Sequence, residues 1–268
     1  MKLWAISDLH IGSDVNRRAV AALTPRPEDW LILAGDVGDH QDDLAFAFAT
    51  LGRRFARLIW VPGNHELWTE RHPKAPGGVA RYEELVALAR DYGVVTAEDP
   101  YLDWPGEGPR TVIAPMTLLY DYSFRPPQVA RDGVIAWAAE AGIYASDERR
   151  LGAAPYGDIA EWCAARVAAT ERRLMEIPGD ALTVLINHYP LRAEDVVLPR
   201  KPRFAPWCGT NATADWHRRF RARAVVYGHL HVRSSRFVDG VHFQEVSLGY
   251  PRHWDPARGA EAYLRRVL

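Results

Sequence analysis

The sequence predicts an α/β fold built on a mainly parallel or mixed sheet that is covered on both faces. Three observations carry this reading. Short runs that are apolar throughout, at residues 3–6, 30–34 and 58–61, alternate with stretches of helical periodicity. Each run stops abruptly at polar, glycine or proline residues, as strands do where they open onto a crevice. The 268 residues, 48% hydrophobic and 25% charged, are enough for one large domain with a substantial core.

The first run ends at Ser7-Asp8-Leu9-His10. Residues two apart on extended backbone point to one side, so Asp8 and His10 are expected to reach a common point. A helix over 17–23 leads to the second strand, which ends at Gly35-Asp36-Val37-Gly38-Asp39. A helical pattern over 42–55 precedes the third strand, which breaks at Pro62-Gly63 and delivers Asn64, His65 and Glu66. Extended backbone there would turn Asn64 and His65 to opposite sides, with Trp60 and Trp68 as flanking packing. A helix over 79–92 and a strand over 111–115 follow. Residues 117–157 are the least regular and read as a cap-like insertion within a single domain spanning 1–268. An amphipathic helix over 159–177 is stopped by Pro178-Gly179. The strand over 182–186 ends at Asn187-His188, and a helix over 212–221 precedes the strand over 224–227, which ends at Gly228-His229-Leu230-His231. The last two strands, around 236 and over 241–246, form a hairpin through Asp239-Gly240.

Composition narrows the function classes. A net charge of −1 gives no basic field of the kind nucleic acid requires. No run of 18 apolar residues is present to span a membrane, and because Met1-Lys2 runs straight into the first strand, whose end carries Asp8 and His10, no cleavable leader is expected. Cys163 and Cys208 are expected to be unpaired thiols of a reducing cytoplasm. Charge is nonetheless uneven: residues 192–223 carry eight basic side chains against Glu194, Asp195 and Asp215.

Five apolar strand ends therefore carry Asp8 and His10; Asp36; Asn64 and His65; His188; and His229 and His231. Carboxylate, imidazole and amide oxygen without thiolate suit manganese, iron or zinc, and argue against a structural cysteine-type zinc site. Even without His65, the seven remaining groups exceed the needs of one open catalytic ion. They suit two ions about 3.5–4 Å apart with a carboxylate between them, a device for phosphoryl chemistry.

As a set, Asp8-x-His10, Gly35-Asp36-x-x-Asp39, Gly63-Asn64-His65-Glu66, His188 and Gly228-His229-x-His231 resemble the complete motif series of the calcineurin-like metallophosphoesterases, in the same order. The resemblance implies a four-layer α/β/β/α sandwich with mixed sheets and a dinuclear metal site at the strand ends. It implies that Asp8, His10 and His231 hold one ion, that Asn64, His188 and His229 hold the other, and that Asp36 bridges them. His65 would then stabilise the transition state or protonate the leaving oxygen, with Asp39 orienting it. Glu66 would support the site or cap a helix. His40, His72, His217, His242 and His253 match no motif.

The resemblance leaves the substrate open among phosphate esters. Several stretches, among them residues 4–10, 58–68, 119–124, 207–210, 214–217 and 249–252, are similar to an actinobacterial group that removes 4′-phosphopantetheine from acyl carrier proteins. That group is expected to continue in a longer C-terminal tail than the one after Leu264. The basic loop bearing Arg200 and Arg203 would dock an acidic carrier protein, and Tyr122, Arg252 and His253 would line the crevice. A small-molecule or cyclic-nucleotide phosphodiesterase or phosphomonoesterase needs the same metals without a docking surface. A protein phosphatase is disfavoured, because His40 follows Asp39 and no Arg-Gly succeeds that motif. A metal-stabilised binding module without chemistry would lack a ligand or His65, and none is missing.

Overall fold

The computed structural model describes residues 1–69 and 77–268. In chain order the elements are β1 (Leu3–Ile6), α1 (Asp14–Ala21), β2 (Arg26–Ala34), α2 (Gln41–Gly52), β3 (Phe55–Val61), α3 (Asn64–Leu67), α4 (Gly78–Asp91), β4 (Leu102–Asp103) and β5 (Thr111–Pro115). They continue with α5 (Val134–Ala139), α6 (Asp147–Arg150), α7 (Ile159–Met175), β6 (Leu182–Ile186), α8 (Trp216–Arg219), β7 (Ala222–Tyr227), β8 (Ser234–Val238), β9 (Val241–Glu245) and β10 (Arg265–Arg266). His72 lies outside the described residues.

The strands form two mixed sheets, ordered β10-β1-β2-β3 and β4-β5-β6-β7-β9-β8. Within them β1, β2 and β3 are parallel, as are β5, β6, β7 and β9, while β10, β4 and β8 run antiparallel to their neighbours. The parallel strands therefore end on one side of each sheet.

Why the strands read as unbroken apolar runs is visible in the way each divides between two cores. Trp30, Ile32 and Ala34 of β2 face Ile113, Val184, Ile186, Ala224 and Val226 of the other sheet. The intervening Leu31 and Leu33 face Leu44, Phe48 and Leu51 of α2. In the second sheet Leu185 and Val225 turn outward onto Leu174 of α7 and Trp216 of α8. A strand buried by a sheet on one face and helices on the other has no polar positions to offer. The result is the four-layer α/β/β/α arrangement. Each fully buried Leu, Ile or Val contributes about 1.5–3 kcal/mol over its exposed state.

Local differences from the sequence reading have local causes. The expected helix over 212–221 is broken into a 3₁₀ turn, Asn211–Thr213, and α8. Thr210 caps the former through its hydroxyl, which accepts from Ala212 N. Within the irregular 117–157 segment a 3₁₀ turn, Arg131–Gly133, leads directly into α5 at Val134. By contrast, α7 starts where Asp158 accepts a hydrogen bond from Glu161 N, an ordinary N-cap. The short β4 and β10 escaped the sequence reading because two-residue strands have no period to detect.

Candidate active site

The loops after β1, β2, β3, β6, β7 and β9 meet at one end of the two sheets, where Ser7 and Ser247 form a parallel bridge between them. The convergence does not come from extended backbone. Asp8 (φ 52°), His10 (φ 41°), Asp36 (φ 53°), His229 (φ 71°) and His231 (φ 52°) are all left-handed. That conformation costs a non-glycine residue roughly 1–2 kcal/mol, so surrounding contacts must hold it. Backbone bonds from Asp8 N to Gly35 O (2.8 Å) and from His10 N to Asp36 O (3.0 Å) lock the first two loops together. Two glycines allow the approach. A Cβ on Gly63 would lie 2.1 Å from Asp36 Oδ1, and one on Gly228 would lie 2.2 Å from Ser7 Oγ.

The opposite-sides expectation for Asn64 and His65 is also corrected, because both belong to the helical turn α3. Glu66 creates that turn: its carboxylate, fully buried, accepts from Gly63 N at 2.9 Å. The same carboxylate accepts from Asp36 N (2.9 Å) and Val37 N (2.8 Å), which ties the β2 loop to α3. Asp36 Oδ1 in turn accepts from His65 N at 3.0 Å. Glu66 is therefore the support the sequence suggested.

Among the described residues three groups of potential ligand atoms result: Asp36 belongs to two of them, and the third is His10, Asp39 and His65. Asp8, His10, Asp36 and His231 each offer an atom within 4.8 Å of the others, and so do Asp36, His188 and His229. Asn64 Oδ1, His188 Nε2 and His229 Nε2 are buried without a hydrogen-bond partner. Unpartnered polar atoms inside a protein are costly, and a cation would satisfy all three. His188 Nδ1 donates to Ala34 O at 2.9 Å, which leaves Nε2 as the bare lone pair.

Electrostatics favour the same conclusion. Burial pushes the Asp36 carboxyl well above the usual range, and the negative charges of Asp8 and Glu66 push it further. Burial also holds His10 and His229 well below the ordinary imidazole value and His188 down at about 4, so these rings are neutral at pH 7 and their lone pairs are open to a cation. Burial alone would raise Asp8, but the His231 imidazole, 2.9 Å away, outweighs it and holds that carboxyl well below the usual range. Its other oxygen accepts from Ser7 Oγ (2.6 Å), Ser247 Oγ (2.7 Å) and His229 N (3.0 Å). Carboxylates crowded together among neutral imidazoles form a donor set that fits a pair of divalent cations.

His65 stands apart from the unpartnered donors. Its Nδ1 is 2.8 Å from Asp39 Oδ1, and its Nε2 lies 3.8 Å from Asp36 Oδ2 and 3.4 Å from the Tyr250 hydroxyl. Burial acts to raise Asp39, but its bond to His65 prevails and the carboxyl sits below its ordinary value. Asp39 is thus an ionised acceptor. The ring of His65 lies against Trp68, centroids 3.7 Å apart, so Trp68 is more than the packing expected of it. Trp60 is packing: it is fully buried against Phe48.

The remaining expectations divide. His253 reaches the site, its Nδ1 3.0 Å from that of His231, and Arg252 lies 4.9 Å from the Tyr250 ring. Tyr122 turns into the 117–157 segment and donates to Glu148 at 2.9 Å. Arg203 is not a free docking residue, because its guanidinium is bound to Trp137 O and, at 2.8 Å, to Glu140 beyond the end of α5. Arg192, Arg218, Arg219 and Arg221 are likewise engaged, with Glu194, Asp239, Glu171 and the carbonyls of residues 177–181 respectively. Arg200 and Lys201 remain exposed. The sequence reading missed Ser247, Tyr250 and Asp147. Tyr250 stacks on His10 at 4.1 Å, and only its place after a polar strand end could have flagged it.

Comparison with known proteins agrees with this geometry. The chain is 47% identical over 269 aligned residues, 99% of its own length and 83% of the relative's, to the acyl-carrier-protein phosphodiesterase PptH of Mycobacterium tuberculosis. The crystal structure of phosphopantetheinyl hydrolase (PptH) from that organism superposes with a TM-score of 0.94 at 47% identity, covering 100% of this chain and 95% of that one. A more distant solved structure, 14% identical with a TM-score of 0.56, covers 92% of this chain and 90% of that one and shares the fold. A family model described as calcineurin-like phosphoesterase matches residues 1–233, a span that takes in every loop converging on Asp36 except the one after β9. By sequence, fold and the chemistry gathered at its strand ends, this chain belongs to the calcineurin-like phosphoesterases.

Proposed function

We propose that the chain hydrolyses the phosphodiester joining 4′-phosphopantetheine to a serine of an acyl carrier protein in the cytoplasm, using two metal ions, manganese or iron, held around Asp36. One observation carries the reaction: Asp36 is shared by two of the ligand groups, and Asn64 Oδ1, His188 Nε2 and His229 Nε2 are buried without a hydrogen-bond partner. Asp8, His10 and His231 would hold the first ion, and Asn64, His188 and His229 the second. When bound, such a pair supplies a nucleophile at neutral pH and neutralises charge on the phosphoryl group.

The chain's own side chains do the rest. Asp39 accepts from His65 Nδ1–H and so turns Nε2 toward the cleft. In its protonated form His65 gives the Nε2 proton to the serine oxygen as the bond from phosphorus to that oxygen breaks. A water oxygen bonds to phosphorus from the other side and gives up one proton to solvent, from which His65 regains the proton it delivered. The phosphate leaves with the pantetheine arm, and the carrier regains its hydroxyl.

The carrier protein as substrate is supported by the relationship to an acyl-carrier-protein phosphodiesterase. It is supported also by cations around the mouth. The Arg252 guanidinium lies 4.9 Å from the centre of the Tyr250 ring, which itself stacks on His10. Arg252, Arg200 and Lys201 are all exposed and offer positive charge suited to an acidic partner. The test is the intact mass of a holo-carrier protein incubated with the purified enzyme and Mn²⁺. Loss of the arm is expected. Unchanged mass, alongside good turnover of bis-p-nitrophenyl phosphate, would replace the substrate with a small diester while keeping the reaction. Charge reversal at Arg200 and Lys201 should lower kcat/KM for carrier protein relative to that for the small diester.

A further inference from the structure

The segment between β5 and α7 contributes one buried side chain that the hydrolytic reading leaves unused. Asp147, the first residue of α6, is only 3% exposed. Its Oδ1 accepts from Asn64 Nδ2 at 2.9 Å and from Trp68 Nε1 at 2.8 Å. Both donors belong to or adjoin α3, the turn that carries His65.

The chemistry of these three groups fixes an orientation. An indole N–H only donates, so the oxygen it meets must accept. An acceptor facing the Asn64 amide selects its NH₂ end and leaves Oδ1 as the free end, which is buried and unpartnered. Turned by half a revolution, the amide would set two oxygens against each other and present NH₂ in place of a ligand atom. The same segment also holds Trp68 by other means. Arg150 lies 4.8 Å from the centre of its ring, Trp68 and Leu151 form an antiparallel bridge, and Thr69 N donates to Arg150 O at 2.9 Å. Trp68 in turn lies against His65.

We propose that Asp147 is a positioning residue: it sets the Asn64 amide to ligate the second ion and, through Trp68, sets the ring of His65 for proton transfer. The proposal rests on the two-ion reading given above. Supporting partners of this kind are worth about 10–100-fold in metal affinity or activity.

The test uses the full chain, stripped of metal and titrated with Mn²⁺ by calorimetry, together with kcat for bis-p-nitrophenyl phosphate over a range of Mn²⁺ concentrations. Asp147→Leu removes the acceptor at similar volume, Asp147→Asn keeps an acceptor oxygen, and Asn64→Ala checks the two-ion reading itself. Asp147→Leu should weaken the second Mn²⁺ equivalent by about 10–100-fold, leave the first unchanged, and raise the Mn²⁺ needed for half-maximal rate in parallel. Asp147→Asn should recover most of the loss. If folded Asp147→Leu binds both ions as the wild type does while Asn64→Ala loses the second, the role of Asp147 is overturned and the two-ion reading stands. If Asn64→Ala also keeps both ions, the assignment of Asn64 falls with it. Should Asp147→Leu not fold, Trp68→Phe decides. It removes one donor and leaves the Asn64 contact, so kcat should fall with second-ion affinity intact. Loss of that affinity, or no change in either quantity, overturns the proposal.

Discussion

His65 Nδ1 and Asp39 Oδ1 are 2.8 Å apart, although one follows β3 and the other follows β2. The contact leaves Nε2 as the ring nitrogen nearest Asp36. Replacing His65 with Ala is therefore expected to lower kcat for a diester by about 10²–10⁴-fold. The variant should retain both metal equivalents by elemental analysis, because no ligand is removed. Loss of metal together with activity would make His65 a ligand.

Asp39→Asn tests the orienting contact through pH. The folded-state value of Asp39 is depressed by its bond to His65, although burial works against it. A depressed carboxyl contributes stability above its unfolded value, about 3.9, and loses it as pH falls through the lower folded value. Wild type should thus exceed the variant in urea-denaturation stability at neutral pH, with the gap closing below about pH 4. A gap that persists unchanged into acid would show that the ionised carboxylate is not its source.

Metal should stabilise the fold. With Asn64 Oδ1, His188 Nε2 and His229 Nε2 buried and unpartnered, an ion that binds them favours the folded chain by about 2.7 kcal/mol at a hundredfold excess over Kd. Thermal unfolding followed against Mn²⁺ concentration should show the midpoint rising with metal and falling with chelator. His188→Ala should blunt the rise. An unshifted midpoint in the wild type would contradict the fit of these residues to a cation.

Glu66→Gln addresses the scaffold beneath the site. The carboxylate accepts from three backbone N–H groups, and an amide can present only one accepting oxygen to them. At least one buried donor is then left without a partner, a cost of about 1–3 kcal/mol measurable by chemical denaturation. A variant as stable as the wild type would mean the loops are held by other contacts.

The sheets were legible because strands such as β2 are buried by a sheet on one side and by α2 on the other, so their sequences stay apolar at every position. The residues around Asp36 were legible because polar groups at the ends of such runs are conspicuous. Hidden were the left-handed turns that aim Asp8 and His10, since no residue-type pattern announces them in non-glycine residues. The helical turn at Asn64 was hidden too, because it depends on Glu66 reaching back to Gly63 and across to Asp36. Asp147 opens a helix of only four residues, too short to show a period, and Tyr250 comes from irregular chain, where spacing carries no information about direction. Arg203 misled for the opposite reason: charge along a sequence does not reveal that Glu140 already meets it.

The two-ion site shared by Asp36 is most directly tested by anomalous scattering from crystals grown with Mn²⁺. The account predicts two peaks about 3.5–4 Å apart, both in contact with Asp36, one beside Asp8, His10 and His231 and the other beside Asn64, His188 and His229. A single peak, or a pair that does not share Asp36, would contradict it.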